Sequence, residues 1–133
     1  MLGKTALITG AYGGLGEEVS IELAKNDCNL FLVGRDSLKI RNLTKEIKSY
    51  DYGVNIQGKA VDLSKDSDVK ALLNVLLNND IHIDILINNA AKDPKPKKGD
   101  ALSPASRFET MTEKFWQDGI DACINGTFLC SQV

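Results

Sequence analysis

Four glycines fall within seven consecutive positions near the start of the chain, in the sequence GAYGGLG at residues 10–16. An apolar run at residues 4–9 comes immediately before them and has the length and composition of a short strand. From Leu15 onwards, apolar side chains recur at Val19 and Leu23, on one face of a helix. The chain therefore opens with a strand, a turn of almost bare backbone and a helix, a unit that needs parallel neighbours to bury its strand.

The same alternation continues along the chain. Further strands are predicted at residues 29–33, 54–61 and 83–88, and apolar stripes at helical spacing follow the first two of these. Ser64 is the predicted N-cap of the third helix. Strands that alternate with helices pair in parallel through right-handed crossovers. The sequence therefore predicts an α/β fold, a doubly wound parallel sheet of Rossmann type.

The last third of the chain reads as a loop and a helix. Residues 91–108 contain all three prolines and several lysines, and are predicted to form an exposed loop whose lysines favour an anionic substrate. Residues 110–113 resemble a capping box, and apolar side chains from Phe115 to Phe128 form a final amphipathic stripe. We interpret residues 1–133 as one domain that is incomplete at its C-terminus.

Composition argues against several kinds of partner. The chain has 133 residues, 43% hydrophobic and 26% charged, as expected for one globular domain. A formal charge of −2 gives no reason to expect binding to nucleic acid or to a membrane surface, and no apolar run has the length of a spanning helix. Three cysteines and one histidine show no ligand spacing, so no metal site is predicted. We expect a cytoplasmic protein with free thiols.

The glycine turn is suited to bind a phosphate group. In a doubly wound sheet, the first strand-to-helix turn lies at the carboxyl edge, where ligands bind. A pyrophosphate needs backbone N–H groups at close range and the positive end of a helix. Gly10, Gly14 and Gly16 would leave that backbone accessible and allow positive φ. The alternative is that Gly13 and Gly14 only form a tight turn.

Four motifs resemble those of the short-chain dehydrogenase/reductase family. They are TGAYGGLG at Thr9–Gly16, Asp62-Leu63 after the third strand, Asn88-Asn89-Ala90 at the end of the fourth, and the helix from Trp116 to Phe128. The resemblance covers essentially the whole chain and implies an NAD(P)-binding domain. It implies that Asp62 contacts the adenine amino group and that the Asn-Asn-Ala stretch lies beside the adenine ring. Ala91 stands where the family usually has glycine.

The end of the second strand bears on the choice between NAD and NADP. The acidic residue that binds the ribose hydroxyls of NAD normally closes this strand, and Gly34 occupies its place. Arg35 follows and could pair with a 2′-phosphate, which favours NADP. Asp36 could bind the ribose of NAD instead, and Arg35 could be a solvated loop charge. The residues predicted to bind the cofactor are Thr9, Gly10, Tyr12, Gly13, Gly14, Leu15, Gly16, Arg35, Asp62, Leu63, Asn89 and Ala90.

The resemblance also implies a reaction, hydride transfer between the nicotinamide and a carbonyl or secondary alcohol. The family uses a Tyr-x-x-x-Lys pair, a Ser and an Asn. Cys123 stands at the Asn position, and Asn125 lies about 200° further around the helix, a poor substitute. The Tyr, Lys and Ser are expected beyond Val133, so the catalytic residues are unknown and this chain alone is expected to be inactive.

Two alternatives to the reductase stay open. One is a non-catalytic dinucleotide-binding or regulatory module, and the other is a protein of this fold with a different reaction such as epimerisation. A Tyr-x-x-x-Lys pair downstream would favour the enzyme. The family commonly forms dimers and tetramers through its long helices, so we expect a homodimer or homotetramer with residues 116–128 in the interface.

Overall fold

The computed structural model describes residues 1–92 and 107–132. In chain order the elements are β1 (Thr5–Thr9), α1 (Gly14–Lys25), β2 (Asn29–Gly34), α2 (Ser37–Ser49), β3 (Ile56–Ala60), α3 (Asp66–Asn78), β4 (Ile85–Ile87), a 3₁₀ turn (Phe108–Thr110), α4 (Glu113–Ile120), a π-helical segment (Asp121–Asn125) and α5 (Gly126–Ser131). Helical dihedrals at both junctions make the last three one continuous helix. Within the described ranges, none of the helices combines the length and apolar character that crossing a bilayer requires.

The four strands form one parallel sheet in the order β3-β2-β1-β4. Leu7 on β1 pairs with Phe31 on β2 and with Leu86 on β4, so β1 has a neighbour on each side. Strands β2 and β3 are added in turn on one side of β1, and β4 is added on its other side. This is the predicted doubly wound sheet, and the step direction reverses between β1 and β4.

Alternate side chains of the central strands enter two separate cores. Ile8 and Leu32 are fully buried on the side covered by α1 and α2. Leu7 and Val33 are buried on the opposite side, against α3 and against Cys130 of α5. Burial on both faces explains why these strands are continuously apolar. The two layers of helices fix the sheet and hold its carboxyl edge in place.

An aspartate in the left-handed backbone region lies two residues after the end of each of the first three helices. Asp27, Asp51 and Asp80 have φ of 59°, 52° and 53°, and each follows the C-cap residue of its helix. Their backbone N–H groups bond to carbonyl groups in the last helical turn, and after α1 and α3 the next amide reaches one residue further back. This is the pattern of a Schellman motif, in which glycine is the usual residue.

Some predicted boundaries were wrong. Ser64 does not cap α3, which begins after Lys65 with no side-chain cap, because the Ser64 hydroxyl bonds to Asp62 instead. The predicted capping box at residues 110–113 is also wrong. Thr112 caps α4 by accepting the Phe115 N–H, and Thr110 lies in the 3₁₀ turn. Strands β3 and β4 are shorter than predicted, and most of the predicted loop at 91–108 lies outside the described residues.

The cysteines are all free thiols. Cys28 and Cys130 are buried, whereas Cys123 is only half-buried. Burial raises the pKa of the Cys28 and Cys130 thiols, so both are protonated at neutral pH.

Candidate functional site

A cleft of about 570 Å³ lies at the carboxyl edge of the sheet. Its walls come from the glycine turn after β1, from the residues that follow β2, β3 and β4, and from the π-helical segment. The residues that line it are Gly10, Tyr12, Gly13, Gly14, Leu15, Gly34, Arg35, Val61, Asp62, Leu63, Ser64, Asn89, Ala90, Ala91, Lys92 and Ala122. The cleft therefore occupies the edge at which doubly wound sheets bind ligands.

Two glycines of the turn are required by close packing. Gly10 has a φ of 63°, and a β-carbon there would stand 2.8 Å from the Cα of Ala90. A β-carbon on Gly16 would stand 2.4 Å from the carbonyl oxygen of Gly10. Both distances are far inside van der Waals contact. Glycine at these positions lets α1 and the end of β4 approach the turn closely.

The other two glycines leave the start of α1 open. Gly13 is the N-cap and has no side chain with which to cap the helix. A β-carbon on Gly14 would meet no atom within 4 Å, and Gly14 lines the cleft. Within residues 1–92 and 107–132, the backbone N–H groups of Gly14, Leu15 and Gly16 have no acceptor. Three free amides at the positive end of a helix form a site suited to phosphate.

A hydrogen-bond network ties the glycine turn to the end of β4. The buried Thr9 hydroxyl donates to the Ile87 carbonyl at 3.3 Å and accepts the backbone N–H groups of Asn89 and Ala90, each at 3.0 Å. The Asn89 side-chain amide donates to the carbonyl oxygens of Thr9 and Gly10 at 3.2 and 3.1 Å. These two side chains thus fix the shape of the turn, and Thr9 lies behind the cleft wall.

The residues after β2 place a cation at the cleft, and its charge helps to lower the pKa of Asp62 on another wall. Arg35 is exposed and lines the cleft, and its guanidinium makes no ion pair or hydrogen bond to any described residue. Asp36 is the N-cap of α2, where one carboxylate oxygen accepts the backbone N–H groups of Leu38 and Lys39 at 2.9 and 3.1 Å. The carboxylate is therefore engaged in capping, which is expected to stabilise α2.

The Tyr12 ring packs over the end of β2. A β-carbon on Gly34 would stand 2.4 Å from Cε1 of Tyr12. The Tyr12 hydroxyl accepts the backbone N–H of Asp36 at 3.3 Å, and the Lys39 ammonium lies 5.3 Å from the ring centroid. The aromatic side chain thus connects the glycine turn to the start of α2 along one wall of the cleft.

The third wall of the cleft follows β3. One Asp62 carboxylate oxygen accepts the Ser64 hydroxyl at 2.7 Å and the Ser64 backbone N–H at 3.2 Å. The hydroxyl contact is the main reason why the pKa of Asp62 lies below its usual range, so Asp62 is ionised at neutral pH. Leu63 is buried, and a β-carbon on Gly126 would stand 3.0 Å from its Cβ. Glycine at 126 therefore allows α5 to pack closely against this wall.

Comparison with known proteins identifies this architecture. Residues 4–133 match the sequence model of a family described as short chain dehydrogenase. The chain belongs to the short-chain dehydrogenase family. Over 116 residues, or 87% of this chain and 32% of the relative, it is 34% identical to an 11-beta-hydroxysteroid dehydrogenase of Pinus massoniana. Over 109 residues, 82% of this chain and 32% of the relative, it is 34% identical to a very-long-chain 3-oxoacyl-CoA reductase of Ajellomyces capsulatus.

A solved short-chain dehydrogenase structure has the same fold. It is the crystal structure of a 3-ketoacyl-(acyl-carrier-protein) reductase from Brucella melitensis complexed with NADH, with a TM-score of 0.81 and 29% identity. The alignment covers 98% of this chain and 48% of the reductase chain. The chain thus spans about half the length of that structure and about a third of the two curated relatives.

Lys92 follows β4 in the chain, and its side chain contacts α4. Its ammonium forms an ion pair with Asp118 and lies 5.0 Å from the centroid of the Phe115 ring. The Lys92 contact is the main reason why the pKa of Asp118 is lowered. Lys92 is therefore engaged with α4, whereas Lys95, Lys97 and Lys98 of the predicted substrate-facing loop lie outside the described residues.

Cys123 and Asn125, the two residues considered for the catalytic Asn position, are not among the described residues that line the cleft. Cys123 lies in the π-helical segment, where its carbonyl accepts the Thr127 hydroxyl at 2.7 Å. Its neighbour Ala122 lines the cleft, but Cys123 is not among the described residues that do. The Asn125 amide donates to Asp121 at 2.8 Å on the exposed side. That the catalytic residues lie outside this chain stays a prediction.

Most of the twelve residues predicted to bind the cofactor come together in the structure. All of them except Thr9 and Gly16 line the cleft, and these two support the turn from behind. Whether the lining residues contact a cofactor stays a prediction. No sequence pattern pointed to Ala122, which lines the cleft because the last helix packs against Leu63. Val61 could have been found, since it directly follows β3.

Proposed function

We propose that the complete protein that carries this chain is an NAD(P)-dependent oxidoreductase, and that this chain binds the dinucleotide. The reaction is hydride transfer between the nicotinamide and a carbonyl group or a secondary alcohol. The observation that carries the proposal is the start of α1, where the backbone N–H groups of residues 14–16 have no acceptor among the described residues and Gly14 and Leu15 line the cleft. The reductase and dehydrogenase names of the relatives, and the NADH in the Brucella melitensis structure, support it.

Residues of this chain would hold the two ends of the adenosine diphosphate part. The amides of residues 14–16 suit the pyrophosphate because they are donors without acceptors at a helix N-terminus. Asp62, Leu63, Asn89 and Ala90 line the cleft after β3 and β4 and suit the adenine. The bound nicotinamide supplies or accepts the hydride. This chain orients it by fixing the turn through Thr9 and Asn89.

We infer a preference for NADP, with NAD as the alternative. Arg35 lines the cleft and forms no hydrogen bond or ion pair with a described residue, and guanidinium pairs well with a phosphate through charge-assisted hydrogen bonds. Asp36, which could have bound the ribose of NAD, accepts two backbone N–H groups of α2. The positive charge of Arg35 at this wall therefore favours the 2′-phosphate of NADP over the 2′-hydroxyl of NAD.

The proton-transfer groups are proposed to lie in the remainder of the protein. A ketone reduction needs a proton donor of suitable pKa beside the carbonyl. Tyr50 does not line the cleft, and its hydroxyl bonds to Glu46, a contact that raises its pKa. We therefore expect this chain alone to be inactive and the complete protein to contain a Tyr-x-x-x-Lys pair.

The last helix supports an oligomeric protein. Trp116, Ile124 and Phe128 have exposed fractions of 53%, 58% and 60%. Aromatic and aliphatic side chains on one helix are typical of a surface that another chain covers. We propose a homodimer or homotetramer in the cytoplasm, a reducing compartment that suits the free thiols. Light scattering of the complete protein tests the oligomer, and a monomer at all concentrations would contradict it.

Turnover of the complete protein tests the proposed function. We expect calorimetry to show binding of NADPH, and absorbance to show that NADPH is consumed with a panel of ketones and 3-oxoacyl thioesters. Binding without consumption of any carbonyl, in a protein that lacks a downstream Tyr-x-x-x-Lys pair, would favour the non-catalytic module. A folded protein that binds neither NADPH nor NADH would refute the proposal.

A further inference from the structure

Tyr12 and the residue at position 34 compete for the same space. The β-carbon that any other residue would place at position 34 falls 2.4 Å from Cε1 and 2.9 Å from Cδ1 of Tyr12. It would also lie 3.2 Å from Cδ1 of Ile40, on the side of α2. Position 34 is where an acidic residue closes the second strand in proteins that bind the ribose of NAD. An acid at position 34 would therefore have to displace the Tyr12 ring.

Three contacts hold the Tyr12 ring in the blocking position. Its hydroxyl accepts the Asp36 N–H, the Lys39 ammonium lies over its face, and its edge packs on the first buried core. A cation over an aromatic face is attractive, and a half-buried ring loses packing if it rotates away. Tyr12 is thus a fixed part of the wall rather than a side chain that yields to a larger neighbour.

The phenol hydrogen of Tyr12 is available to a ligand. The hydroxyl oxygen accepts one bond, from Asp36, and the structure records no acceptor for its hydrogen among the described residues. Tyr12 and Arg35 line the same wall of the cleft. The charged groups around them are the cations Arg35 and Lys39, the anion Asp36, which caps the N-terminus of α2, and the anion Asp62, which lines the same cleft and whose pKa the Arg35 charge helps to lower. A neutral donor beside a guanidinium is a combination suited to a phosphate.

We propose that Tyr12 is a specificity-determining residue, which selects NADP by two actions of one side chain. Its ring occupies the place of the acid that would hold the ribose of NAD, and its hydroxyl donates a hydrogen bond to the 2′-phosphate beside Arg35. The inference rests on the proposed function, because it assigns a role within the dinucleotide cleft.

The first test removes the hydroxyl and keeps the ring. We expect Tyr12→Phe to weaken NADPH binding by the complete protein by about 10-fold or more, the effect of one hydrogen bond to a charged group. NADH binding should stay unchanged, whereas a merely structural role for the hydroxyl would weaken both nucleotides equally. Tyr50→Phe, which removes a hydroxyl bonded to Glu46 away from the cleft, is the matched control and should alter neither. Equal losses for NADPH and NADH in Tyr12→Phe would overturn the inference.

The second test exchanges the ring for the acid. We expect Gly34→Asp alone to lose affinity for both nucleotides, because the new β-carbon meets the ring. Gly34→Asp combined with Tyr12→Ser should bind NADH more tightly than NADPH, because the acid then has room and repels the 2′-phosphate. If Gly34→Asp alone binds NADH more tightly than the wild type, the ring does not exclude the acid and the inference is wrong. This pair decides the matter even if Tyr12→Phe does not fold.

Failure of the inference can be told apart from failure of the proposed function. A folded wild-type protein that binds neither nucleotide refutes the proposed function, and the role of Tyr12 falls with it. A wild-type protein that binds NADPH in preference to NADH, and keeps the same preference as Tyr12→Phe, refutes only the inference. In that case Arg35 alone would account for the choice of coenzyme.

Discussion

Replacing Gly14 with alanine should separate the binding role of the glycine turn from its structural role. The β-carbon at position 14 has no neighbour within 4 Å, and Gly14 has no positive φ. Alanine should therefore stabilise the fold by about 0.5 kcal/mol, since it restricts the unfolded chain. In a domain of this size that raises the Tm by about 2 °C. The new methyl group lies on the open side of the first helical turn, where we place the pyrophosphate.

The loss of binding in Gly14→Ala follows from the same geometry. A methyl group that keeps the phosphate away from the free amides weakens charge-assisted bonds, and the loss of one such bond reduces affinity at least about 10-fold, or about 1.4 kcal/mol. Calorimetric titration with NADPH and thermal unfolding of the same preparation measure the two effects. The expected result is a more stable protein with weaker binding, a combination that general damage to the fold does not produce.

Gly16→Ala is the matched control for this experiment. Its β-carbon would stand 2.4 Å from the Gly10 carbonyl oxygen, so we expect a destabilisation of about 1–3 kcal/mol from overpacking. The two glycines are two residues apart in one turn and should change stability in opposite directions. The reasoning is refuted if Gly14→Ala binds NADPH as tightly as the wild type, or if both variants destabilise the fold to the same degree.

Three further predictions concern stability. Thr9→Val should lower the free energy of unfolding in urea by about 1–3 kcal/mol, because it leaves the part-buried backbone N–H groups of Asn89 and Ala90 without their acceptor, and a loss below about 0.5 kcal/mol would contradict the network. Asp27→Gly should raise the Tm, because glycine adopts a φ of 59° without strain; a lower Tm would show that the aspartate side chain stabilises the turn. Asp84 accepts hydrogen bonds from Lys4 and from a backbone N–H, which lower its pKa below its ordinary value of 3.8. Its contribution to stability is therefore complete above that value and is lost as the pH falls through the lower folded pKa, so Asp84→Asn should flatten the acid limb of a stability profile. An unchanged acid limb would contradict it.

The order of the elements could be predicted from the sequence because local signals agree with the tertiary structure. The glycine turn, the helical spacing after Leu15 and the continuously apolar strands each indicate the same βα units. Residues at the carboxyl ends of parallel strands must meet at one edge, so ten of the proposed contact residues fall in one cleft. The position of the cleft could therefore be predicted from the order of the strands and helices.

Side-chain roles that depend on a single competing contact could not be predicted. The sequence offers Ser64 as a cap, but its hydroxyl bonds to Asp62, and α3 starts without a side-chain cap. Thr9 matches a cofactor motif, yet it is buried and bonds to the end of β4, 78 residues further along the chain. Nothing in the sequence indicates that the Tyr12 ring occupies the space beside Gly34. Contacts between residues distant in sequence decide these cases.

The most direct test of the central claim is an amide NMR titration of the protein with NADPH. The account predicts that the largest changes in chemical shift occur at the backbone N–H groups of Gly14, Leu15 and Gly16, the three free donors at the start of α1. Smaller changes should follow at Arg35, and amides of β1 away from the cleft should not shift. Saturable shifts that leave residues 14–16 unaffected, or no shifts in the folded protein, would contradict the claim that this turn binds the dinucleotide.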